Sequence, residues 1–120
     1  GVVFSLHAET LTLEQQKAEF IRLVQSGHLE QAYQLAASLE NQLAGEPDFD
    51  MAYGRIALRV EQNDSAVFAL ERVVADKPQW QQARFTLAQA YYKTKNYPAA
   101  LRQLTWIEQK PAADLVEPVA

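Results

Sequence analysis

The sequence predicts an all-α fold, a solenoid of about three stacked helical hairpins with a short C-terminal cap, on three observations. Ala32, Ala66 and Ala100 recur at a spacing of 34 residues, each within a stretch of the same shape: HLEQAYQLA, NDSAVFALE and NYPAALRQL. Gly54 in AYGRIAL and Ala88 in FTLAQAYY stand the same 34 residues apart. Between these markers the apolar residues follow helical periodicity, and the prolines ahead of the tail fall only at helix edges. A period of this length marks a stacked repeat, in which each unit buries its apolar face against the next.

Each element has its own start and stop. The first helix is expected over 13–25, opened by Thr12 and Gln15 as a capping box. The second, over 29–43, follows the SGH turn. Pro47 opens the third, over 47–61, from a first turn where a missing N–H costs nothing. Asp64 is read as the cap of the fourth, over 64–76, with Pro78 beyond its end. The fifth is expected over 81–94, and the sixth over 97–109, with Asn96 as its cap, Pro98 in its first turn and Pro111 past its end. Taken in pairs these give hairpins of about 13–46, 47–80 and 81–112. Residues 111–120 form a tail in which Leu115 and Val116 supply a capping turn.

The alanines mark the crossings. Where two helices of a hairpin approach most closely, only a small side chain admits the approach while larger neighbours interlock. Gly54 fits that logic, since a glycine within a helix costs about 1 kcal/mol against alanine unless close packing offsets it.

Composition limits the functions available. With 48% hydrophobic residues and four glycines in 120, the chain is an ordered, helix-rich single domain. The absence of cysteine removes disulfides and thiolate chemistry. A formal charge of −4, with no cluster of Lys and Arg, argues against nucleic acid. No apolar run reaches the length of a membrane span, so no membrane insertion of this segment is expected. Residues 1–12 begin GVVFSLHA and read either as the end of a secretory signal cleaved after Ala8 or as a boundary segment.

Candidates for chemistry are few. His7 and His28 lack helical metal-ligand spacing, and His28 is a turn residue. Ser5, Ser26, Ser38 and Ser65 have no nucleophile elbow or oxyanion motif around them. Glu46, Asp48 and Asp50 gather at the start of the third helix, where the helix dipole accounts for them. The chain is expected not to be an enzyme and to need no cofactor or metal.

The repeat resembles the tetratricopeptide family. Leu87, Ala88, Tyr91, Ala100, Leu104 and Ile107 follow that family's pattern in order, as do Tyr53, Gly54, Ala57, Ala66, Leu70, Val73 and Pro78. The first hairpin keeps only Leu23, Ala32 and Leu39, with Glu19 and Phe20 off the pattern. The resemblance covers about residues 13–110 and implies a right-handed α–α superhelix whose first helices line a concave groove. Carrying the family's groove positions over gives Lys17, Ile21 and Gln25, then Asp48, Met51, Arg55, Leu58 and Arg59, then Gln82, Phe85, Gln89, Tyr92 and Lys93. Large apolar residues set among Lys and Arg suit a protein or peptide ligand that is itself acidic and apolar. The alternative for Phe85 and Tyr92 is packing against a neighbouring repeat or a flanking helix. Some family members grip a C-terminal carboxylate through two lysines, two asparagines and an arginine. Here only Lys17 fits, with Ile21, Ala52, Gln82 and Thr86 at the other places, so that mode is not expected.

The run AVFALERVVADKPQWQQARFTLAQAYYKTKNYPAALRQL also resembles the periplasmic repeats ahead of the barrel in bacterial surface lipoprotein assembly modifiers. That resemblance implies an exported bacterial protein with this segment in the periplasm, the alternative being the cytoplasm. The function expected is a non-enzymatic protein–protein interaction scaffold. The alternative is a dimerisation module pairing through its terminal repeat faces.

Overall fold

The computed structural model describes residues 11–109, which form six helices and no strand. In chain order these are α1 (Leu13–Gln25), α2 (Leu29–Leu43), α3 (Pro47–Arg59), α4 (Asn63–Asp76), α5 (Gln81–Lys93) and α6 (Tyr97–Gln109). Each helix packs on the next along the chain, with a further contact between α3 and α5, which makes a solenoid of three hairpins. The expected cap around Leu115 and Val116, the Pro111 stop and the N-terminal segment before Leu11 lie outside the described residues.

The turn within each hairpin is the same device three times. Gly27, Glu61 and Lys95, 34 residues apart, take positive φ of 78°, 64° and 66°. In each turn that residue's N–H reaches a carbonyl three back, and the next N–H reaches one five back, as in His28 to Leu23, Gln62 to Ala57 and Asn96 to Tyr91 at 2.8–2.9 Å. This double closure satisfies the last carbonyls of the first helix. It also explains why α3 stops at Arg59 and α5 at Lys93, short of the sequence expectation.

The same closure moves the start of α4. Gln62 leaves the turn directly into the N-cap position, so the helix begins at Asn63, one residue ahead of the expected start. Asp64 therefore lies in the first turn rather than at the cap, and Gln62 makes no side-chain capping bond. The other two expected caps form. Thr12 Oγ1 accepts from the Gln15 N–H at 3.1 Å while Gln15 Oε1 accepts from the Thr12 N–H at 2.8 Å. Asn96 Oδ1 accepts from the Ala99 N–H at 3.4 Å.

Ala32, Ala66 and Ala100 are all buried. Gly54 is held to glycine by its neighbour across the hairpin, which is Leu70. A Cβ built on Gly54 would lie 2.6 Å from Leu70 Cγ. Hairpins one and two are joined by an aromatic ladder. Phe20 meets Phe49 at 6.4 Å between ring centroids, Phe49 stacks on Tyr53 at 5.6 Å, and Tyr53 stacks on Tyr33 at 5.8 Å.

Asp50 is buried rather than solvated at a helix start. Arg72 Nη2 donates to Asp50 Oδ1 at 2.9 Å and to Glu40 Oε2 at 3.0 Å, Arg72 Nε donates to Asp50 Oδ2 at 3.2 Å, and the Gly45 N–H donates to the same Oδ2 at 2.8 Å. One guanidinium thus ties α2, α3 and α4 together. These hydrogen bonds, that to Asp50 first, raise the Arg72 pKa.

Candidate protein-binding groove

Helices α3 and α5, the first helices of their hairpins, and the start of α6 enclose a concave groove of about 700 Å³. Leu58, Arg59 and Glu61 form one wall, and Phe85, Ala88, Gln89, Tyr92 and Lys93 of α5 form the floor. Ala100 and Leu104 close the far side. Positions 85, 88, 89 and 92 share one face of α5 by helical spacing, so the floor is one continuous stripe.

Charge rims this apolar floor. Lys93 Nζ reaches across to Glu61 Oε1 at 3.0 Å, and that bond holds the Glu61 carboxyl below its usual pKa. Arg55 and Arg59 make no ion pair among the described residues. Tyr92 meets Tyr97 at 5.4 Å between ring centroids, which extends the aromatic surface onto α6.

The thirteen residues expected to form one groove divide among several places. Leu58, Arg59, Phe85, Gln89, Tyr92 and Lys93 come together in the large groove. Ile21, Gln25 and Arg55 line a smaller concavity of about 250 Å³ between α1 and α3. Lys17, Asp48 and again Ile21 line another of about 220 Å³, where Lys17 pairs with Glu14 at 3.5 Å and Glu46 at 3.8 Å. Arg55 and Arg59 therefore face different concavities: the first lies beside α1 and the second beside α5. Gln82 is exposed outside all three. Met51 is not a surface residue, because it is buried in the hydrophobic core.

The 34-residue period explains why Met51 and its counterpart differ. Met51, Leu58 and Leu70 are 3%, 9% and 0% exposed, whereas Phe85, Tyr92 and Leu104, one period later, are 44%, 66% and 42% exposed. The first three belong to the second hairpin, on which α5 packs, against α4 and in contact with α3. Among the described residues nothing packs in the same way on α5 and α6. The groove floor is thus the repeat-stacking surface of the third hairpin, uncovered among the described residues.

Glu61, Ala88, Ala100 and Leu104 line the groove but are not among the residues expected there, Ala88 and Ala100 being close-packing positions in the sequence reading. The pattern position of Leu104 is a core position wherever another repeat is stacked on it, so the repeat pattern alone assigns it to hairpin packing. Its place in the third hairpin, the last among the described residues, is the available signal.

Residues 60–112 match the family model described as anaphase-promoting complex, cyclosome, subunit 3. The match supports a tetratricopeptide-like repeat chain. It spans the turn after α3 and all of α4, α5 and α6, so it includes the open hairpin. No curated protein matched the chain. Repeats of this type typically act as non-enzymatic scaffolds in protein interactions. Among the described residues no helix is long and apolar enough to cross a membrane.

Proposed function

We propose that the chain is a protein-interaction scaffold that takes an acidic, apolar segment of a partner into the groove between α3, α5 and α6. The observation that carries this is the open, largely apolar concavity floored by exposed Phe85 and Tyr92 and rimmed by Arg59 and Lys93. Aromatic anchors with arginine beside them are what interface hot spots are made of. Lys93 is paired with Glu61. Arg59, which makes no ion pair among the described residues, leaves the rim with the surplus positive charge that favours an acidic ligand although the chain itself carries −4. The test is a displayed peptide library selected against the full chain, with the best binder mapped by amide and aromatic NMR shifts. Shifts centred on Phe85, Tyr92 and Leu104, and at least a ten-fold loss of affinity in Phe85→Ala or Tyr92→Ala, are expected. Shifts confined to the convex surface would overturn the reading.

Dimerisation is the second reading, favoured by the exposed Tyr97, Leu101 and Leu104 on α6. It would pair two C-terminal faces, because the outward face of α1 carries Gln15, Glu19 and Arg22, with Arg22 donating to Glu19. A melting temperature that rises with the chain's own concentration distinguishes it. The periplasmic setting rests on the apolar N-terminal residues and the barrel-associated resemblance, and fractionation of expressing cells checks it.

A further inference from the structure

The open hairpin has a template inside the same chain. One period earlier, the equivalent surface is covered by α5, whose Ala83, Leu87, Ala90 and Tyr91 are buried or partly buried. Beyond them Lys93 crosses to Glu61 in the turn of the preceding hairpin. The turn position of Glu61 is occupied in the third hairpin by Lys95, with the same backbone conformation at φ 66° against 64°. The acceptor of the template has become a donor.

Resting on the scaffold reading above, we infer that the third hairpin receives an α-helix of a partner protein in the place of a fourth repeat's first helix. That helix carries small, leucine-like, small and aromatic residues at positions i, i+4, i+7 and i+8. An acidic residue stands at i+10, facing Lys95. The spacing is that of residues 83, 87, 90, 91 and 93 of α5. The arriving ligand is helical rather than extended, because the surface it meets is shaped for ridges and grooves between helices, with small Ala88 and Ala100 at its centre.

Two other occupants fit less well. Laid on the repeat, residues 110–120 put Pro118 at the position of Arg84, whose N–H donates to Trp80 O in the first turn of α5. Proline has no N–H to make that bond. A second copy stacking head to tail would present α1, whose residues at the positions of Ala83, Leu87 and Ala90 are Gln15, Glu19 and Arg22. That face is polar where the groove is apolar.

The probe is a pair of stapled helical peptides with the chain's own sequence from Trp80 to Lys95, one unchanged and one with Lys93→Glu, titrated into the full chain by fluorescence anisotropy. The glutamate peptide is expected to bind roughly three-fold tighter, the scale of an exposed ion pair gained and a like-charge contact removed. Against the Lys95→Glu chain the order is expected to reverse. Tyr92→Ala should weaken both peptides about ten-fold or more. Failure of both peptides to bind would overturn the inference, as would a preference unmoved by Lys95→Glu. If that preference is unmoved while Tyr92→Ala still weakens both, the register falls and the groove reading stands. If Tyr92→Ala has no effect either, both fall. A dimer of the chain that the peptides dissociate would give the face to a second copy and overturn the partner helix.

Discussion

Gly54 shows how one absent methyl group sets the distance between two helices. With a Cβ 2.6 Å from Leu70 Cγ, Gly54→Ala forces the leucine or the helix to move. Overpacking of this kind costs about 1–3 kcal/mol, which outweighs the roughly 1 kcal/mol that alanine gains in helix propensity. Urea denaturation should therefore show Gly54→Ala destabilised, and the Gly54→Ala/Leu70→Ala pair should be less unstable than the sum of the single changes. The recurrence of small residues was legible in the sequence because steric exclusion acts on side-chain size directly. The left-handed turn residues were not. Gly27 is an ordinary glycine signal, but Glu61 and Lys95 hold the same conformation with side chains that give no hint of it. A non-glycine residue there is strained by about 1 kcal/mol. Lys95→Gly should raise the unfolding free energy measured in urea by up to that amount, and Lys95→Ala should not.

At the scale of elements, Arg72 holds the buried carboxylate of Asp50 within hairpin two and reaches Glu40 of hairpin one. Removing one partner of a buried ion pair leaves a charge without compensation, so Arg72→Met is expected to cost about 3 kcal/mol in urea denaturation. No comparable loss is expected from Lys93→Met, since that pair with Glu61 is exposed. The helices themselves were readable from periodicity, proline and capping, and their ends shifted by one or two residues only where the positive-φ turns closed them. The ion-pair network was hidden because its members, Glu40, Asp50 and Arg72, belong to three helices and no local pattern joins them. Alkaline pH tests the same interface. Burial first, then the charge of Glu40, pushes the Tyr53 pKa up to about 12, against roughly 10 in an unfolded chain. The folded state therefore keeps the neutral phenol. Its contribution is fully present below pH 10 and is lost as the pH rises towards 12. Thermal melts across that window should fall less steeply for Tyr53→Phe than for the parent chain.

Across the whole molecule the two ends of the solenoid are unlike. The first hairpin departs from the repeat pattern at Glu19, and in the structure that residue pairs with Arg22 on the outward face of α1, where no earlier hairpin packs among the described residues. The third hairpin keeps the stacking pattern, and among the described residues no further helix packs over its apolar positions. Sequence position alone could not assign Met51 to the core and Phe85 to the groove, because both occupy one repeat position and differ only in whether a further hairpin packs over them. In a solenoid, stability is close to a sum of each unit and its neighbours. Covered on both sides, α3 and α4 should be the most stable part. Native-state hydrogen exchange on the full chain, alone in solution, measures this helix by helix. The slowest amides are expected in α3 and α4 and clearly faster exchange in α6, with Ala100 to Leu104 less protected than Ala66 to Leu70. Equal protection of those two stretches would mean that the third hairpin is already covered, and would contradict the open binding face.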